Sequence, residues 1–226
     1  MGVSKEQAVH NRERILAAAE RLFREKGVDA VGLAELMKEA GFTQGGFYNH
    51  FASKEELVAK VVDRAMDGGR QQFETEVAKS LRLGVDPLTR HIQWYLSEAQ
   101  RDDIDTGCAI AGFAGDIPHL SDGARGSYAT ALSQAFDGFA QMILQEEPKL
   151  SQKDARARAV SLYSHMVGSL LLSRAVSGHE PALAEEILTN SQSSLLARRP
   201  HVSVKVSSSK SKGSAASKVR NTRVVK

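Results

Sequence analysis

The chain has 226 residues, 42% hydrophobic and 25% charged, with five prolines, which suits one large domain or two small ones packed around a core. A single cysteine excludes an intramolecular disulfide framework and a cysteine-based zinc cluster, and no metal or cofactor is expected. Nine of the 30 basic residues lie from Arg198 onward, where there is no acid, so residues 1–197 hold 21 basic against 27 acidic side chains, a net of −6. The basicity belongs to the tail and does not mark the folded body as a nucleic-acid binder. The first fifteen residues are polar, without the apolar stretch of a secretory leader, and position 6 is Glu where a myristoylation site needs a hydroxyl residue. The longest apolar run, Met166 to Leu172, is too short to span a bilayer, so a cytoplasmic protein is expected.

In chain order the punctuation is helical. Ser4-Lys5-Glu6-Gln7 is a capping box, followed by the apolar stripe Ile15, Leu16, Ala19, Leu22 and Phe23, with Gly27 as its stop. A short helix is predicted from Leu33 to Ala40, ending at Gly41, and a third from Gln44 to Phe51 after Thr43. Ser53-Lys54-Glu55-Glu56 caps a longer helix with Leu57, Val58, Val61, Val62 and Met66 inward. Asp86-Pro87 opens the next, which carries Ile92, Trp94, Tyr95 and Leu96. Arg101 to Thr106 reads as a loop, and Gly107 to Ile117 as a short apolar segment closed by Pro118. Long helices follow over Ser121–Gln145 and from Ser151 to Ser177, then a last one from Pro181 to Ala197. No convincing strand appears, and the fold class is all-α. Residues 198–226, rich in Ser and Lys without aromatics, read as a basic disordered tail.

Residues 33–51 form a unit: helix, glycine-containing turn, helix, the helix-turn-helix arrangement. On a helical wheel Thr43, Phe47, His50 and Phe51 share one side, and Gln44, Gly45, Tyr48 and Asn49 the other. The two phenylalanines can pack inward. The opposite face offers two amides suited to base edges, a phenol able to reach phosphate or a thymine methyl, and a glycine that permits close approach.

The run Phe42-Thr43-Gln44-Gly45-Gly46-Phe47-Tyr48-Asn49-His50-Phe51-Ala52-Ser53-Lys54-Glu55-Glu56-Leu57 resembles the recognition-helix signature of TetR-type transcriptional regulators. The stripe from Ile15 to Gly27 resembles that family's first helix, and the likeness covers about residues 10–60. The resemblance implies a three-helix DNA-binding domain over 1–54 and a helical ligand-binding and dimerisation domain over 55–197. It implies base or phosphate contacts from Thr43, Gln44, Gly45, Tyr48, Asn49 and His50, with Lys54 meeting phosphate. One departure is Val31-Gly32, where the family usually carries hydroxyl residues capping helix 2, so a hydroxyl contact to phosphate is not expected there. Residues 1–54 carry eight basic against seven acidic side chains, so affinity must come from placement rather than bulk charge.

The reading implied is a dimer that binds a palindromic operator in double-stranded DNA, as a repressor released by a small-molecule effector or a thiol-reactive signal. The dimer surface is expected on the last two long helices, from Val160, Tyr163, Val167, Leu170, Leu171 and Val176 with Leu183, Ile187, Leu188, Leu195 and Leu196. Effector contacts are expected from Trp94, Cys108, Phe113, Tyr128, Phe139 and His165 on the central helices. Thr106-Gly107-Cys108-Ala109-Ile110 resembles a Gly-Cys element opening helix 6 in one branch of the family, where a helix dipole favours thiolate. Two other classes are weaker. A cysteine-dependent enzyme could pair Cys108 with His91, His119 or His165, but no motif supplies a third partner and no catalytic residue is assigned. A sequence-blind architectural DNA binder would rest on the tail alone.

Overall fold

The computed structural model describes residues 4–197 and Arg199. These form helices without a strand among the described residues: α1 (Lys5–Lys26), α2 (Leu33–Glu39), a 3-10 helix (Gln44–Asn49), α3 (Lys54–Arg82), α4 (Pro87–Tyr95), α5 (Glu98–Asp102), α6 (Ala109–Phe113), α7 (Asp122–Glu146), α8 (Gln152–Ser177) and α9 (Pro181–Ala197). The caps expected from sequence are in place. Ser4 Oγ accepts from Gln7 N at 3.1 Å, Ser53 Oγ from Glu56 N at 3.2 Å, and Asp86 from Leu88 N and Thr89 N. Gly32, at the start of α2, supplies no side-chain cap.

Two elements depart from the sequence reading, and a third has an end that the reading left open. The third helix is a 3-10 helix six residues long, closed by Gly46 N to Thr43 O and His50 N to Phe47 O. Consecutive glycines at 45 and 46 withdraw helix propensity there. The polar stretch at Arg101 is partly helical, because Ser97 Oγ accepts from Gln100 N and starts α5. The helix that begins after Ser53 continues past Met66 to Arg82, through Gly68-Gly69. A Cβ at Gly68 would meet nothing within 4 Å, and one at Gly69 would stand 3.9 Å from the Ala109 Cβ, so neither glycine is demanded by packing.

α1 packs on α3 and on α2, and α2 on the 3-10 helix, burying Ile15, Phe23, Leu36, Met37, Phe47 and Leu57. The second half of α3 lies against α4 and α7, and α8 packs between α7 and α9. Two serines stitch the last pair: Ser173 Oγ donates to Ala184 O and Ser169 Oγ meets Ser191 Oγ, each at 2.8 Å. No helix among the described residues is long and apolar enough to cross a membrane.

Candidate functional site

The turn before the 3-10 helix is fixed by backbone and by α1. Phe42 N bonds Met37 O at 2.8 Å and Gly41 N bonds Lys38 O at 3.0 Å, the paired bonds that end a helix in a left-handed residue. Gly41 takes φ +80°, and a Cβ there would lie 2.5 Å from Arg14 Nη2. Arg14 donates to Ala40 O at 2.9 Å and lies over the Phe42 ring at 4.9 Å. Arg12 stacks over Phe51 at 4.0 Å, donates to the His50 carbonyl and pairs with Glu56 at 3.3 Å. Hydrogen bonds from Ala52 N and Arg12 hold the Glu56 carboxyl below its usual range.

On this frame Phe47 and Phe51 are buried, their rings 5.6 Å apart, and anchor the 3-10 helix from beneath. Thr43, Gln44, Gly45, Tyr48 and Asn49 are exposed, with Tyr48 at 68%. Tyr48 stands edge-on to Phe47, centroids 5.3 Å apart, which holds the phenol out from the surface. Thr43 and His50, placed on the phenylalanine side by the wheel, are not buried; His50 leans on Phe42 at 6.2 Å. Lys54 Nζ donates to Val28 O at 2.9 Å, which keeps its charge beside the α1–α2 loop. Six of the eight basic side chains of residues 1–54 (Arg12, Arg14, Arg21, Arg24, Lys26 and Lys54) are engaged by protein acceptors, so this face is polar rather than strongly cationic.

A cavity of about 590 Å³ lies between α3, α4, the start of α6, α7 and α8. Of the six expected ligand contacts, Trp94, Cys108 and Phe139 line it. Phe113, Tyr128 and His165 do not, and those expectations are corrected. Phe113 is fully buried beneath the Arg24 guanidinium, 5.7 Å from it. Tyr128 spends its hydroxyl on Ile110 O at 2.9 Å. His165 sits two residues from Tyr163, which turns it about 200° round α8 and away from the cavity.

Sequence reasoning did not place His91 or Tyr163 in the cavity lining, where both stand. His91 is boxed by Phe73, Trp94, Tyr95 and Phe139, with ring centroids 5.2 to 5.8 Å away. Burial among these rings pushes its pKa down to about 4, so the imidazole is neutral at pH 7. Cys108 precedes α6 and is half-buried, its Sγ 3.5 Å from Tyr163 Oη. Burial raises both Tyr95 and Tyr163 well above the usual phenol range, which keeps them protonated donors. The Tyr95 hydroxyl is sealed from solvent beside Cys108 and Tyr163, without a well-formed hydrogen bond.

The cavity wall is tied to α1. Arg24, whose side chain is 4% exposed, donates to Gly107 O at 2.9 Å, next to Cys108, and pairs with Glu20 at 3.0 Å. Val28 N donates to Asp116 Oδ1 at 3.1 Å. From the other side Arg174 donates to the carbonyls of Gln100, Arg101 and Asp103 at 2.8 to 3.0 Å, fixing the segment that leads to Cys108.

α8 and α9 expose three large apolar residues, Val160 at 38%, Leu172 at 61% and Leu183 at 43%, among polar neighbours such as Ser161, Ser164, Glu185 and Glu186. Tyr163, Leu170, Leu188 and Leu195 turn into the chain's own core instead. Leu172 was not among the residues expected at the dimer surface.

Arg199, counted from sequence with the tail, is folded in. It pairs with Asp86 at 2.6 Å and also bonds Glu146 and Thr89. Burial alone would raise Asp86, but the bonds from Arg199 and Thr89 outweigh it and hold that carboxyl at about 2. The rest of the expected tail, Arg198 and residues 200–226, lies outside the described residues.

Among known proteins, the profile of the bacterial regulatory proteins of the tetR family matches residues 15–61. The HTH-type transcriptional repressor NemR of Escherichia coli is 30% identical over 135 residues, which covers 56% of this chain and 67% of that protein. YfiR of Bacillus subtilis, an uncharacterized HTH-type transcriptional regulator, is 31% identical over 109 residues; the match spans 46% of this chain and 49% of that one, about half of each. The crystal structure of reduced E. coli NemR superposes with a TM-score of 0.67 at 21% identity, over 82% of this chain and 96% of that one.

Proposed function

The chain belongs to the tetR family of bacterial regulatory proteins, and from that premise we propose that it is a dimeric, sequence-specific DNA-binding repressor, freed from a palindromic operator when a small molecule fills the internal cavity. The observation that carries this reading is the exposed polar set Gln44, Gly45, Tyr48 and Asn49 on a turn locked by Phe47, Phe51, Arg12 and Arg14. A rigid display of amides and a phenol reads base edges and phosphates in the major groove, where Thr43, His50 and Lys54 flank it. One such unit contacts too few base pairs for specificity, and the exposed Val160, Leu172 and Leu183 on α8 and α9 support pairing of two copies.

Release follows from Arg24. A ligand that displaces Cys108 or Ala109 shifts Gly107 O, and with it the guanidinium that holds the C-terminal end of α1. α3, which walls the cavity and begins at the DNA-binding unit, moves with it. The ligand drives this only so far as it prefers the released arrangement. The cysteine-dependent enzyme is disfavoured because His119 and His165 lie outside the cavity and His91 is held among rings, with no carboxylate to orient it.

Binding-site selection on random duplex DNA tests the reading. Recovery of an inverted repeat, with Tyr48→Ala weakening its binding at least tenfold, is the expected result. Equal retention of all duplexes would remove sequence-specific recognition.

A further inference from the structure

Taking the cavity as the effector site proposed above, we infer that its ligand is an organic cation with a flat apolar body, seated with its charged nitrogen between the Trp94 ring and the Glu76 carboxylate. The cavity suits the apolar part. Phe73, Phe139 and Tyr163 present rings along it, and about 590 Å³ accommodates a fused-ring body with a charged substituent. The Phe73 ring lies so close to α7 that a Cβ at Gly138 would stand 2.9 Å from its Cε1, so glycine there leaves the ring its place in the wall.

The charge of the lining is one-sided. Asp67, Glu74, Glu76 and Asp137 border the cavity, and Arg70 is the one cation among its described lining residues. Arg70 is already shared between Glu74 at 2.9 Å and Asp67 at 3.5 Å. The cations that answer Glu76 and Asp137, namely Lys79, Arg90 and Arg156, stand outside the lining, so these pairs turn their negative ends toward the cavity. His91, neutral in its box of rings, adds no positive charge. An incoming anion meets carboxylates and no unspent cation, whereas a cation meets the surplus. Glu76 is the least exposed of the four carboxylates, with 35% of its side chain open against 61 to 65% for the others. Its contacts to Lys79 and Arg90 are long, at 3.4 and 3.6 Å, and half-exposed pairs of that kind contribute little, so a ligand nitrogen competes for it. Trp94 follows Arg90 by four residues, on the same side of α4, and is the most exposed ring of the lining. Among the described residues no side-chain cation lies over the Trp94 face, and indole attracts cations more strongly than the other aromatic rings.

The test uses shape-matched probes on the full chain, read by calorimetry. (2-Naphthylmethyl)trimethylammonium carries the charge, 2-neopentylnaphthalene is its carbon isostere, measured by competition, and 2-naphthylacetate is the anion. The cation should bind at least about tenfold more tightly than the anion. Glu76→Gln should weaken the cation about fivefold and the hydrocarbon less than about twofold. Glu180→Gln, an equal change of charge at an exposed position outside the lining, should leave the cation within about twofold. Trp94→Leu, which keeps apolar bulk, should weaken the cation more than the hydrocarbon. An anion that matches the cation, a cation unmoved by Glu76→Gln or moved as far by Glu180→Gln, equal losses for cation and hydrocarbon in either cavity variant, or no binding by the cation overturns the assignment. A cation that fails to bind a protein still holding its operator removes the ligand class and leaves the DNA-binding reading standing. A cation that binds as expected but never releases the operator overturns the effector reading and leaves the ligand class intact.

Discussion

Lowering the pH from 7 to 5 should cost this fold about 2 kcal/mol through one side chain. His91 has an ordinary pKa of 6.5 and about 4 in the folded state, because its ring is buried among Phe73, Trp94, Tyr95 and Phe139. Below pH 6.5 the unfolded chain takes up a proton that the fold excludes until about pH 4, so stability rises with pH across that window and falls as acid is added. The whole shift corresponds to about 3 kcal/mol per protomer, of which about 2 appears between pH 7 and 5. Asp86, held near 2, stays ionised in both states over this range and does not contribute. The assay is urea unfolding at pH 7 and 5 at fixed protein concentration, since the proposed pairing of two copies would couple stability to concentration. His91→Phe, which keeps a neutral ring in the aromatic box, should shrink the pH-dependent loss by that amount, common contributions from other groups cancelling in the difference. Parallel losses in the two proteins would refute burial of a neutral imidazole.

Arg199→Ala strips the cation from Asp86 and Glu146 and should lower stability by about 3 kcal/mol, read as a reduced urea midpoint; an unchanged midpoint would place Arg199 outside the folded body. A truncation designed to isolate the basic tail must therefore end after Arg199 rather than after Ala197. Replacing Gly68 and Gly69 together by Ala should raise stability by about 1 to 2 kcal/mol, given the open space at both. The same variant should keep operator affinity while needing more ligand for release; unaltered release would show that α3 does not yield there. Cys108→Ser should bind operator normally and lose any release caused by an alkylating agent, and release that persists in the variant removes Cys108 as a thiol sensor.

The interface was legible because a short amphipathic code set it: Phe47 and Phe51 repeat at the spacing that buries both, leaving Tyr48 and Asn49 outside. Its 3-10 geometry was not, because the pattern of apolar residues does not distinguish how a glycine pair closes its hydrogen bonds. Cavity membership was half legible. Aromatic content marks candidates, but whether Phe139 or Phe113 faces the space depends on how α6 and α7 rotate against α3, which no local spacing encodes. Arg199 was misread for a similar reason. Its surroundings in sequence are those of a tail, and one of its acceptors, Glu146, lies 53 positions away.

The length of α3 gives any tilt about the cavity wall a long lever arm. From Gly69, at the cavity wall, to Lys54, beside the recognition turn, is about 22 Å at the usual rise per residue, so pivoting by about 5° sweeps the far end through about 2 Å. In the symmetric pair proposed above the two sweeps would add, giving about 4 Å of mismatch against grooves that recur every 34 Å or so along one face of the duplex. In the proposed repressor, a molecule that fills the cavity would thus spoil the spacing of two reading heads that it never touches.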